Sequence, residues 1–153
     1  MGLLNYTTKI DPDKTAQEIA RCLSMHGAQA VLTEYDEKTN TVSAISFKIK
    51  NGEQTMGFRL PCDWKPVYTI ITKGKKFTWG QRGDKQKSDW ELQAVRTAWR
   101  IVKDWVEAQM ALVETNMVTT PQVFLPYLQM RDGRTLSETV ATNPSFLLGD
   151  GSN

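Results

Sequence analysis

The feature that most constrains this chain is a run in its second half where Leu92, Val95, Trp99, Val102, Val106, Gln109 and Val113 recur at helical spacing. Residues three and four apart share one face of a helix, so this pattern predicts a long amphipathic helix with a single buried stripe. Ser88-Asp89-Trp90-Glu91 reads as a capping box at its start, the serine and the glutamate each satisfying an exposed backbone N–H. The helix is therefore expected from Ser88 to about Asn116, as the spine of the fold. A helix of this kind buries its stripe only against other elements, so the rest of the chain must supply a partner surface.

The first half supplies both a second helix and a sheet. Asp11-Pro12 followed by Ala16, Ile19, Ala20 and Leu23 gives a cap, a proline in the first turn and an apolar face, and Gly27 supplies a stop. Residues 12–26 are thus a predicted helix, preceded by a possible strand from Tyr6 to Ile10. Val31, Thr33 and Tyr35 alternate with Ala30, Leu32 and Glu34, and beyond the polar turn Glu37-Lys38-Thr39-Asn40 the residues Ile45, Phe47 and Ile49 face one way with Lys48 and Lys50 on the other. Asn51-Gly52 signals a hairpin with both residues at the centre of a type I′ turn, and Met56, Phe58 and Leu60 form the returning face. These strands make an antiparallel meander of three to four strands. The expected class is α+β, with the meander packed on the long helix and the shorter N-terminal one.

Between sheet and spine the pattern is weaker. Val67 to Ile71 fits either a strand or a helix. Lys73 to Lys87 is polar, glycine-bearing and basic, and reads as a flexible surface loop longer than the usual connection. After the spine, Thr120-Pro121 opens a short helical turn that Pro126 ends, and Asp132-Gly133 marks a tight turn. Leu136 and Val140 are the last packed positions expected. One domain over residues 1–141 with a flexible tail over 142–153 follows, and 153 residues suffice to bury one core.

Composition narrows the classes of function. With 40% hydrophobic and 24% charged residues the chain is ordinary for a globular protein, and no stretch approaches the roughly 20 apolar residues that cross a bilayer. No membrane association, signal peptide or cofactor is expected. Cys22 and Cys62 lack the paired spacing of a zinc or redox site and read as buried free thiols. His26, the only histidine, sits where the first helix ends and is expected to interact with its last carbonyls. A lone histidine, and acids placed at turns and caps, leave no catalytic residue or metal site to nominate.

Charge is distributed unevenly along the chain. Residues 65–103 hold Lys65, Lys73, Lys75, Lys76, Arg82, Lys85, Lys87, Arg96, Arg100 and Lys103 against Asp84, Asp89 and Glu91, although the whole chain carries only +2. Arg96, Arg100 and Lys103 share one helix face, with Glu107 relieving its far end. In the preceding loop, Phe77 and Trp79 lie among Lys75, Lys76 and Arg82. Aromatic rings stack on bases while neighbouring cations meet phosphates, so Lys75, Lys76, Phe77, Trp79, Arg82, Arg96, Arg100 and Lys103 are the candidate ligand-binding residues. The competing reading folds Phe77 and Trp79 back onto the core. Gly74, Gly80 and Gly83 match neither a P-loop nor a dinucleotide fingerprint.

Two stretches carry a likeness: Gly57-Phe58-Arg59-Leu60-Pro61, and the spine segment Ala98-Trp99-Arg100-Ile101-Val102-Lys103-Asp104-Trp105-Val106-Glu107-Ala108-Gln109-Met110-Ala111. With Asn5-Tyr6-Thr7-Thr8-Lys9-Ile10 and Phe124-Leu125-Pro126-Tyr127, they resemble small proteins carried by bacteriophages and prophages that have no assigned activity. The likeness spans most of residues 5–140. It implies a setting in the host bacterial cytoplasm and assigns no residue a role. The expected function is non-enzymatic binding of a phosphate-rich ligand, either single-stranded nucleic acid or a signalling nucleotide. Two alternatives are an anti-defence protein that docks on a host defence enzyme through Trp105, Phe124 and Tyr127, and a homo-oligomer that sequesters a host immune nucleotide between its copies.

Overall fold

A computed structural model describes residues 2–143. The chain is α+β: a three-stranded antiparallel sheet, β1 (Ala28–Tyr35), β2 (Val42–Asn51) and β3 (Gln54–Pro61), in the order β1-β2-β3. It packs against α1 (Pro12–Met25) and the long α3 (Gln81–Glu114). A short α2 (Lys65–Ile71) joins the sheet to α3, and α4 (Thr120–Phe124), a 3₁₀ turn (Leu125–Tyr127) and α5 (Leu136–Thr142) follow. The tail expected over 142–153 falls outside the described residues beyond Asn143, and Thr142 itself closes α5.

Local chemistry accounts for most boundaries. Asp11 accepts a hydrogen bond from the Asp13 N–H at 2.8 Å, Pro12 occupies the first turn, and Gly27 leaves the helix at φ +101°. Thr119 and Gln122 form a reciprocal capping box that starts α4. The undecided Val67–Ile71 segment is helical, with Pro66 in the first turn of α2.

The sheet buries one face. Val31, Phe47 and Phe58 lie opposite one another across the three strands, with Ile45 beside Leu60 and Ile49 beside Met56. Ser43 is an extra residue between Val42, which pairs with Tyr35, and Ala44, which pairs with Glu34. This bulge returns Val42 to the buried face. On α3 the buried positions are Gly83, Ala94, Val95, Thr97, Ala98, Trp99, Val106 and Met110, with Val102 and Val113 packed at the margin and Leu92 exposed. Trp99 ties helix to sheet, its indole N–H donating to the Val42 carbonyl at 2.9 Å.

Four expectations are corrected. Residues Tyr6 to Ile10 form no strand; they are the end of a turn and an arm without regular structure. The hairpin turn is centred on Gly52-Glu53, because Asn51 still pairs with Gln54, and only Gly52 has positive φ, at +65°. That is the signature of a type II′ turn, which needs positive φ at its first central residue alone. The spine begins at Gln81, so Ser88 and Glu91 lie inside the helix and form no cap. The predicted loop shrinks to residues 72–80, because Gln81, Arg82, Lys85, Gln86 and Lys87 are good helix formers and Asp84 suits the positive end of the helix.

Candidate functional site

Extending α3 by two turns re-aims the basic segment. The helix starts after Gly80, at φ +78°, and the loop before it folds against the first turn. Gly83 is buried there, and a β-carbon on it would lie 1.5 Å from the Thr78 carbonyl oxygen. Only a glycine allows this approach. Trp79, next to that carbonyl, is 100% exposed, whereas Phe77 is half-buried. Along the segment that holds Trp79, Lys73, Lys75, Lys76, Arg82, Lys85 and Lys87 are exposed, and no ion pair among the described residues engages them. The Lys75 ammonium lies over the Trp90 ring at 4.3 Å from its centroid, a cation–π contact joining the loop to the helix.

The helix carries this charge inward along one stripe, since Arg82, Lys85, Asp89, Arg96, Arg100 and Lys103 succeed one another three, four or seven residues apart. The stripe changes character as it passes beneath α1. Arg100 forms an ion pair with Glu18 of α1 and also donates to Thr15, and Lys103 pairs with Glu107 at 2.9 Å. Their side chains are only 13% and 16% exposed. Arg96 differs: its Nη1 donates to Gln93 at 3.4 Å, while its Nε is buried with no hydrogen-bond partner among the described residues. The eight candidates therefore divide. Lys75, Lys76, Phe77, Trp79 and Arg82 gather around the loop, Arg96 lies further along, and Arg100 and Lys103 are committed to acids of this chain.

Arg96 lines a groove of about 450 Å³ between α3 and the N-terminal arm, with Tyr6, Lys9, Asp89, Trp90 and Gln93. The arm is held on α3 by hydrogen bonds. Gln93 donates to the carbonyls of Tyr6 (3.0 Å) and Thr8 (2.8 Å), Thr97 donates to that of Asn5 (3.2 Å), and the Asn5 amide donates to Asp104 (2.8 Å). Tyr6, Lys9, Asp89, Trp90 and Gln93 were not nominated from the sequence. The hydrogen bonds that bring the arm to α3 join residues 85 or more positions apart, and no local pattern reports such pairing. The one local trace was Trp90, an aromatic off the buried stripe.

The proposed partner-binding residues are differently placed. Phe124 is 0% exposed and packs edge-on against Phe47 and Trp105, at ring separations of 5.1 and 5.6 Å. It belongs to the core, because the short α4 turns its ring onto the sheet, and so cannot form part of a docking face. Trp105 is half-buried and packs edge-on with Tyr127 at 5.8 Å. These two border a groove of about 270 Å³ with Leu60, Pro61, Ile101 and Val102.

No protein-family model, curated protein or solved structure matches the chain. Among the described residues, no helix is long and apolar enough to cross a membrane, and no cluster of His, Cys, Asp and Glu has the makings of a metal site. Cys22 and Cys62 are free, and burial, helped by Asp63, pushes the Cys62 thiol up to about 12. A thiol so raised is a poor nucleophile at neutral pH. His26 Nδ1 lies 2.7 Å from the Cys22 carbonyl and Nε2 lies 2.6 Å from Glu114. Both partners accept, so both ring nitrogens donate, and the ring is held as a cation above its ordinary pKa, first by the carbonyl and then by the carboxylate.

Proposed function

We propose that this chain is a non-enzymatic binding protein for a phosphate-rich ligand, with single-stranded nucleic acid as the ligand its loop suits best. One observation carries the reading: Trp79 stands wholly in solvent on a glycine-braced turn, within four residues along the chain of the exposed Lys75, Lys76 and Arg82, none of which has an acid partner among the described residues. A fully exposed indole gains nothing for folding. Placed among cations, it offers a stacking platform for a base while they meet the flanking phosphates. The bacteriophage resemblance supplies the setting, a host bacterial cytoplasm in which replication and recombination expose single strands.

Fluorescence polarisation with a labelled single-stranded oligonucleotide tests this. Affinity is expected to fall steeply between about 50 and about 200 mM salt, because each neutralised phosphate releases counterions. Absent or salt-independent binding overturns the reading.

The Trp105–Tyr127 groove supports the second reading, a protein-protein inhibitor of a host enzyme, since aromatic side chains anchor many interfaces. A host protein recovered from nuclease-treated lysate by the wild-type chain, and not by a Tyr127→Asp variant, favours that alternative. In the oligomeric reading, the ligand binds between copies, and light scattering reports more than one chain per particle.

A further inference from the structure

We infer that the groove between the N-terminal arm and α3 is a subsite for one nucleotide, taking its base against Tyr6 and Trp90 and its phosphate at Lys9 and Arg96. The inference rests on the nucleic-acid reading above and assigns that ligand's terminal or free nucleotide to a second place, apart from Trp79.

Three features of the groove support it. Its volume, about 450 Å³, falls within the range of small-molecule sites. Its lining combines two aromatic side chains with two cations, the pairing that suits a planar base joined to an anion. Arg96 also keeps a buried Nε without an acceptor among the described residues. Buried donors are nearly always satisfied, so this guanidinium is one acceptor short within the chain, and a phosphate oxygen is an acceptor of the kind that an arginine takes.

The groove is also polar along its length. Asp89 and Arg96 are seven residues apart on α3, about 10 Å along the helix axis. A phosphate is repelled by the Asp89 end and attracted by the Arg96 end, while Asp89 accepts from the amine or sugar hydroxyls of a nucleoside. This directs the ligand one way round. Gln93 acts as a positioning residue, since its amide holds the arm that carries Tyr6 and Lys9.

Calorimetric titration of the full chain with the four 5′-nucleoside monophosphates (AMP, GMP, CMP and UMP), and with their nucleosides, tests the subsite. At least one monophosphate is expected to bind about tenfold or more tightly than its nucleoside. Arg96→Gln should erase that preference, Arg96→Lys should keep part of it, and Met117→Ala, at an exposed residue outside both sites, should leave it unchanged. A 5′-phosphorylated oligonucleotide preferred over its unphosphorylated twin, and displaced by the monophosphate, assigns the groove to a strand end. A preference confined to the monophosphates assigns it to a free nucleotide. If no monophosphate binds, or if Arg96→Gln keeps the phosphate preference, the subsite is overturned. Salt-sensitive oligonucleotide binding then persisting leaves the Trp79 reading intact, and its loss as well overturns both.

Discussion

The α-carbon of Gly83 sits directly beneath the carbonyl oxygen of Thr78, leaving no room for even a methyl group between loop and helix. The obstacle is backbone, which cannot swing aside as a flexible side chain would. Gly83→Ala must therefore push the Thr78–Gly80 turn off the helix and release the platform that holds Trp79. Overpacking of this kind costs about 1–3 kcal/mol. We expect a lower melting temperature together with weaker oligonucleotide binding, read by calorimetry and polarisation on the same sample. Unchanged affinity would show that Trp79 does not depend on the brace.

Trp79→Ala separates binding from folding. A side chain wholly in solvent contributes little to stability, so the melting temperature should hold within the equivalent of about 0.5 kcal/mol. Oligonucleotide affinity should fall by the worth of one stacked base, about 1–3 kcal/mol. In polarisation this reads as roughly a fivefold to hundredfold rise in Kd.

Cations along the α3 stripe should behave in two classes. Arg100→Gln removes the partner of a half-buried Glu18 and should destabilise the chain by about 1–2 kcal/mol, lowering the melting temperature while leaving the salt dependence of binding unchanged. Arg82→Gln and Lys76→Gln should leave stability alone, and each should reduce the slope of log K against log salt by about 0.7, the value for one single-strand phosphate contact. An equal slope change for Arg100→Gln would place that residue on the ligand after all.

The His26 clamp joins the end of α1 to Glu114 at the end of α3, and it makes stability depend on pH. Because the pKa is raised in the folded state, the contribution is complete below the ordinary histidine value of about 6.5 and is lost as pH rises through the higher folded value. A His26→Gln variant should therefore melt below the wild type at pH 6, with the gap closing by pH 9. With Glu114 in solvent and the pair screened, the gap at pH 6 should be about 1–2 °C, as expected for about 0.5 kcal/mol in a chain of this size. A gap that widens with pH would contradict the clamp.

Much of the fold was legible because it is locally determined. Asp11-Pro12 and Gly27 bracket α1, and alternation in Ile45-Phe47-Ile49 and Met56-Phe58-Leu60 marks the buried sheet face. Each signal needs only neighbours within a turn or a strand. Two local signals misled. Ser88-Asp89-Trp90-Glu91 has the composition of a cap, but helix-forming residues on its N-terminal side carry the helix through it. Asn51-Gly52 has the composition of a type I′ turn, yet the cross-strand register keeps Asn51 in the ladder.

For the candidate site, the sequence determined the charge, the rings and the periodicity that sets Arg96, Arg100 and Lys103 on one face of α3, whereas Arg82 and Lys85 join that stripe only because the helix begins at Gln81. Tertiary structure alone decided what each of them meets. Arg100 is neutralised because α1 lies across it with Glu18, and Phe124 is sealed in the core by Phe47 and Trp105. Arg96 faces a groove because the arm, some 90 positions earlier in the chain, folds back beside it. Side-chain spacing along one helix is a property of the backbone, whereas the atoms opposite that helix come from distant segments brought there by burial of the whole core.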